Sequence, residues 1–271
     1  MSSATLILAA HSLRRIRGVL LGLGVILAAF QLLLTQVAAY MARQNAFGVL
    51  STLIPDFART AAGPSALAFM SFSGIVGLGY FHPVVLAALV GLVITIASEP
   101  AAEVEARFVD LTLSRPLARA DFVARTVLVL VVATLVMVAT MMAGTWTGLT
   151  CCVPAELERP SLALLLSLAI SLAAIVLCWA GVAFALAAGA RRRAGASAVA
   201  GALALAAYLL DYLGRVWEPL SGVSRLSPFH YFEPMAVILG EPLNVRHIVG
   251  LLAVALAGII AGVATFARRD V

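Results

Sequence analysis

Residues 161–213 read SLALLLSLAISLAAIVLCWAGVAFALAAGARRRAGASAVAGALALAAYLLDYL. Two apolar runs, Ser161–Ala188 and Ala194–Leu213, meet at three consecutive arginines, Arg191, Arg192 and Arg193. A helix rises ~1.5 Å per residue, so about 20 apolar residues cross a hydrocarbon core about 30 Å thick. Both runs meet that length and carry no charge before Asp211. A charge at mid-bilayer costs several kcal/mol, so its absence is a second signal, independent of length. The stretch reads as two membrane-crossing helices joined by a short basic turn.

The same pattern recurs outward at Val19–Ala39, Phe81–Ala97, Phe122–Ala143 and Ile248–Phe266. With 63% hydrophobic residues, 11% charged residues and a mean hydropathy of +1.07, the composition excludes an ordinary soluble domain. The expected fold is an all-α integral membrane protein of six transmembrane helices, in one membrane domain over residues 1–271. The first run is too long for a signal-peptide core and lacks a small-residue cleavage site, so it reads as a retained span.

Arginine sets the orientation. With the N-terminus inside, twelve of the 18 basic residues fall in inner segments and six in outer ones. This two-to-one bias predicts that both termini are cytoplasmic and that the protein is multi-pass in the inner or plasma membrane. The apolar stretch Gly63–Ala97 is broken at His82-Pro83, because proline removes a backbone donor and restricts the residue before it. Gly63–Tyr80 is expected to be a re-entrant outer segment; a seventh crossing would destroy the arginine asymmetry.

The net charge of +5 comes from arginines that flank the spans, which points to lipid headgroups and not to nucleic acid. All 18 basic residues are arginine. A Walker A phosphate loop needs a lysine, so any ATP and its magnesium belong to another chain. Adjacent Cys151 and Cys152, and Cys178 within a span, form neither a C-x-x-C pair nor a metal cluster. No H-E-x-x-H occurs, and no spanning histidine stands ready to activate a serine.

Four features lie outside the plain spans. Residues 1–17 contain an amphipathic stretch, Thr5–Arg17, expected to lie along the inner interface with its arginines on phosphate. The inner loop 98–121 is the most polar segment, with Glu99, Glu103, Glu105, Asp110 and Asp121. Within it Glu103–Ser114 reads as a helix with Phe108 and Leu111 on one face, stopped by Pro116 and suited to docking another protein. The outer element 214–247 mixes prolines, glutamates and aromatics; Trp217, Tyr231 and Phe232 suit an interfacial aromatic belt. Finally, Ala198, Ala202 and Ala206, then Gly258 and Gly262, offer close helix approach. Asp211, between Tyr208 and Tyr212, is an ionisable group near the outer end of the fifth run, facing a substrate, a wet cavity or a partner such as Arg215.

In its order of parts the chain resembles the permease subunits of ABC-2-type (type V) ABC transporters. The match is carried by YFHPVVLAALVGLVITIAS running into the acidic loop, by the P-x-x-R turn Pro116-Leu117-Ala118-Arg119, by LSPFHYFEP (226–234) and by the ending FARRDV (266–271). The family's loop carries an acid followed by Gly-Thr. Glu103 aligns with that acid, and Arg107-Phe108 replace the Gly-Thr.

The resemblance implies an N-terminal interfacial helix, six spans, a cytoplasmic coupling helix and an outer re-entrant segment before the last span. It implies a separate ABC ATPase subunit that binds the ATP, a second permease, either an identical copy forming a homodimer or a paired different permease, and efflux of a hydrophobic or amphipathic substrate such as a lipid, drug or peptide antibiotic. Glu99, Glu103, Glu105, Arg107, Phe108, Asp110, Pro116 and Arg119 would couple to the ATPase. Tyr208, Asp211 and Tyr212 would form a polar site on the pathway or between helices. The alternatives left open are an intramembrane enzyme and a non-catalytic membrane scaffold.

Overall fold

The computed structural model describes residues 3–48, 71–105, 119–154, 156–157, 159–190 and 192–267. Helix α1 spans Ser3–Arg43, α2 Phe72–Leu78, α3 Pro83–Ala97, α4 Glu99–Glu105, α5 Arg119–Cys151, α6 Leu162–Gly189 and α7 Arg193–Val216. Two short helices follow, α8 (Ser221–Ser224) and α9 (Pro234–Ile238), with 3-10 turns at Glu218–Leu220 and Pro228–Tyr231; α10, Val245–Ala267, is last. Six helical segments among the described residues are long and apolar enough to cross a membrane. The protein is a multi-pass, all-α membrane protein.

Helix α6 is the centre. Its sequence is apolar on every side, and most of its faces are buried by neighbouring helices, leaving Leu162, Leu166 and Ile170 exposed. Leu165, Leu168, Leu172, Ile175, Trp179 and Phe184 are all fully enclosed. Around it stand α3, α5, α7 and α10, while α1 lies along α5. The outer faces of α1, α7 and α10 present Leu21, Val25, Leu203, Leu205, Leu256 and Ile260, as lipid-facing surfaces should. Lipid tails are as apolar as leucine, so these helices are held by close packing and not by escape from water.

Glycine makes that packing possible. Gly144 of α5 lies against the Ala28 backbone of α1, and Gly181 of α6 against the Ala255 backbone of α10, with no room for a Cβ in either case. Gly258 completes the second contact by meeting the backbone of Gly181, and Gly262 meets the ring of Phe184. On α7 the face is different from the one expected. Ala198, Ala202 and Ala206 are exposed, and Ala196, Ala200 and Ala204 are buried. Both sets repeat every four residues, so spacing alone could not choose between them.

The expected interfacial helix over 1–17 is not a separate element. It continues into the first span as one helix of 41 residues, about 60 Å long and so longer than the hydrocarbon core is thick. Nothing between Thr5 and Val19 breaks the backbone ladder; the one glycine there, Gly18, is tolerated in a helix.

In the re-entrant stretch, residues 63–70 lie outside the described residues. The part that follows is the short helix α2, capped by the Ser71 hydroxyl accepting from Gly74 N–H at 2.9 Å. It packs on α1 and α9, and Gly77 meets Ile238 and Leu168. In the outer element Trp217 is exposed. Phe232, expected in an aromatic belt, is buried at 5% exposure, because the chain folds it back onto the bundle.

Candidate functional site

One end of the bundle carries Arg14, Arg15, Arg17, Arg125, Arg192 and Arg193, and is termed here the arginine-rich end. The short helix α4 lies at this end, beyond α3. Pro100 sits in its first turn, where a missing N–H costs nothing, and Glu99 places an anion at the helix N-terminus.

All three described carboxylates of α4 turn back into the protein. Glu99 accepts from Arg15 Nη1 of α1 at 3.4 Å and from Arg193 Nη2 of α7 at 3.0 Å. Glu105 accepts from the backbone N–H of Arg193 at 3.0 Å. That bond satisfies a free donor at the start of α7, where Arg192 in the N-cap position offers no side-chain bond. Glu103 takes Arg125 of α5 in a two-pronged pair, at 3.0 and 3.4 Å. Alongside, the Thr5 hydroxyl donates to Asp121 at 2.7 Å, and Ser197 donates to Ser98 at 3.0 Å. Three long helices, α1, α5 and α7, are thus tied at one level by one short acidic helix.

The ties differ in strength. Arg15 is 66% exposed at its side chain, so its pair with Glu99 contributes about 0–1 kcal/mol. Arg125 is 10% exposed and Glu103 23%, so this pair is largely sheltered from water and weighs more than the exposed one.

Beyond the clasp, a cleft of about 380 Å³ lies between α3 and α7. Val84, Ala87 and Gly91 form one wall, and Gly201, Leu205 and Tyr208 the other. No atom lies within 4 Å of where a Cβ would stand on Gly91 or Gly201, so both glycines open onto free space. Phe229 closes the end away from the clasp. It stacks on Trp179 at 5.7 Å and meets the edge of Tyr208 at 5.4 Å, while Ser227 anchors its turn by donating to the Ala207 carbonyl at 2.8 Å. Apart from the Tyr208 hydroxyl the cleft is apolar. It suits a greasy or amphipathic molecule and offers nothing to a bare ion.

The residues singled out from sequence fall in different places. Glu99, Glu103 and Glu105 come together in the clasp. Arg107, Phe108, Asp110 and Pro116 lie outside the described residues, and Arg119 opens α5. The described helix is Glu99–Glu105, and residues 106–114 of the expected Glu103–Ser114 helix are among those not described.

Tyr208, Asp211 and Tyr212 do not converge. Tyr208 lines the cleft and Tyr212 is 57% exposed. Asp211 is buried at 6% exposure, accepts from Arg215 Nε at 2.9 Å and stands 3.7 Å from His230 Nδ1. Sequence reasoning missed Arg15, Arg125 and Arg193 as partners of the acids. It treated the arginines as topology signals, and the triplet 191–193 was the cue that could have marked an acid-binding point.

No curated protein and no solved structure matches the chain. The family model that matches is the C-terminal domain of the multidrug efflux system permease Rv1217c, over residues 9–267. That match takes in all six spanning helices, the clasp and the cleft, and the chain belongs to this family of multidrug efflux permeases.

Proposed function

We propose that the chain is the permease subunit of an ATP-driven exporter of the ABC-2 type, fuelled by a separate ATPase subunit, and that the cleft between α3 and α7 is its half of the path. The observation that carries this reading is the cleft itself: an apolar, glycine-walled space between two helices whose ends are tied to the acidic loop. ATP and magnesium reside on the partner chain. A second copy of the permease, placed across the cleft, completes the path. The ATPase pushes on the loop that follows α4; α4 passes that displacement to α1, α5 and α7 through Glu99, Glu103 and Glu105. The helices shift between two packed arrangements and the cleft changes its opening.

The test is a filled cleft. A Cβ at Gly91 or Gly201 meets no atoms, so Gly91→Trp and Gly201→Leu are expected to fold and insert normally. In inside-out vesicles with the ATPase subunit present, each lowers ATP-dependent uptake of an apolar dye about tenfold or more, as expected when a close-fitting path is blocked. Unchanged uptake in both variants rules out the cleft as the path.

In this reading the arginine-rich end faces the cytoplasm. Cys151, exposed at the opposite end, is then expected to react with a membrane-impermeant maleimide in intact cells, while fully buried Cys178 stays unlabelled until the protein is denatured. Labelling of Cys151 only after permeabilisation inverts the orientation.

A further inference from the structure

A second cavity lies at the end away from the clasp, between the outer element and the start of α10. It has a volume of about 520 Å³, within the ~300–1,000 Å³ of small-molecule sites. Its rim is built rigidly. Helix α9 ends with Gly240 at φ +94°, Glu241 N–H donating to the Ala236 carbonyl at 2.9 Å and Gly240 N–H donating to Val237 at 3.1 Å. This is a Schellman stop: only glycine adopts that backbone cheaply, and Pro242 follows to prevent the helix resuming. Glu241 is therefore held at the mouth by its backbone, and its exposed carboxylate makes no ion pair among the described residues.

The chemistry of the lining is specific. Glu233 also lines the cavity, its Oε2 3.1 Å from His247 Nδ1. The ring of Tyr231 meets the His247 imidazole edge-on at 5.3 Å, and its hydroxyl donates to the Arg225 carbonyl at 3.1 Å, which fixes the ring in the cavity lining. Val237, Leu243 and Ile248 supply the apolar wall. The one full cation of the lining, Arg246, is exposed and free to swing into solvent. With His247 neutral, two carboxylates against one arginine leave the cavity with an excess negative charge in a lining that includes an aromatic ring.

We propose that this cavity binds a monovalent organic cation with an apolar body. The carboxylates attract the charge, the Tyr231 ring adds a cation–π contact, and the apolar wall covers the rest. An anion would meet both carboxylates. A bare metal ion finds no group of three ligating side chains among the described residues. The site goes beyond the transport reading and needs neither ATP nor an ATPase to be occupied.

The test uses two probes of the same shape and opposite charge, tetraphenylphosphonium and tetraphenylborate, in equilibrium dialysis against the purified full chain in detergent. Saturable binding of the phosphonium, at least tenfold tighter than the borate, is expected. Glu241→Gln, a surface change that leaves the fold alone, weakens phosphonium binding about tenfold, and Glu241→Arg abolishes it. Equal binding of the two probes overturns the proposal, as does phosphonium binding untouched by both Glu241 variants. Loss of binding in Gly91→Trp with retention in Glu241→Gln places the cation in the α3–α7 cleft and also overturns it.

Discussion

Glu103→Lys is expected to cost about 3 kcal/mol of stability, because it sets a second cation against the sheltered Arg125 and removes both of its described bonds to Glu103. In detergent this appears as a fall in the apparent unfolding temperature of about 5–10 °C. Glu103→Gln keeps one hydrogen bond and falls between that value and the parent. The double exchange Glu103→Arg with Arg125→Glu restores most of the loss, since the pair is remade with its charges reversed. Arg15→Ala, which removes an exposed partner of Glu99, stays within about 1 kcal/mol of the parent. This series separates two roles for the acidic loop. If Glu103 acted only by docking an ATPase, Glu103→Lys would weaken that association and leave the isolated permease as stable as before.

The clasp also gives the coupling proposal a physical form. A loop that held its carboxylates outward could be displaced without effect on the spans. Here Glu99 and Glu105 both hold Arg193, the first residue of α7, so a movement of α4 is a movement of the cleft wall. Ser197 bonded to Ser98 adds a second tie between the same helices one turn further along. On the proposed coupling, the permease responds as a unit to a push on the loop, with no need for contacts between a partner ATPase and the spans themselves.

The spans were legible in the sequence because hydropathy and length are local quantities, and a bilayer acts on them locally. What sequence could not supply was the choice among equivalent faces and the pairing of distant charges. The alanine repeat of α7 runs in two frames, and only packing against α3 and α6 picks Ala196, Ala200 and Ala204. Glu105 and Arg193 are 88 residues apart, and Glu99 and Arg15 are 84 apart. The density of acids in 98–121 correctly drew attention to the loop but said nothing of which way the acids point. Thr5–Arg17 has the composition of an interfacial helix, yet without a backbone break it extends the first span. Asp211 stood out for its depth. Its partner Arg215 one turn on could be read from helix geometry, and His230 could not.

The tightest test of the fold is at Gly181. A Cβ there would run into the carbonyl oxygen and Cα of Ala255 on α10, and Gly258 of α10 already lies against the Gly181 backbone. Gly181→Val must therefore push α10 away from α6, and separation costs the close contacts that hold a helix lacking any hydrophobic drive to associate. A loss of about 3 kcal/mol or more is expected, at the upper end for overpacked sites. Because the obstruction is backbone, trimming the neighbour with Ala255→Gly does not rescue it, as it would if two side chains had collided. Gly91→Val makes the internal comparison. It places the same side chain on a spanning helix, but into open space, and its apparent unfolding temperature should stay within about 2 °C of the parent, as for a change that adds no clash. Limited proteolysis supplies the local readout: Gly181→Val frees α10, so cleavage in the 240–245 segment accelerates, while Gly91→Val is cut at the parent rate. Equal behaviour of the two variants would mean that α6 and α10 are not in backbone contact, and the packing described for the bundle would be wrong at its centre.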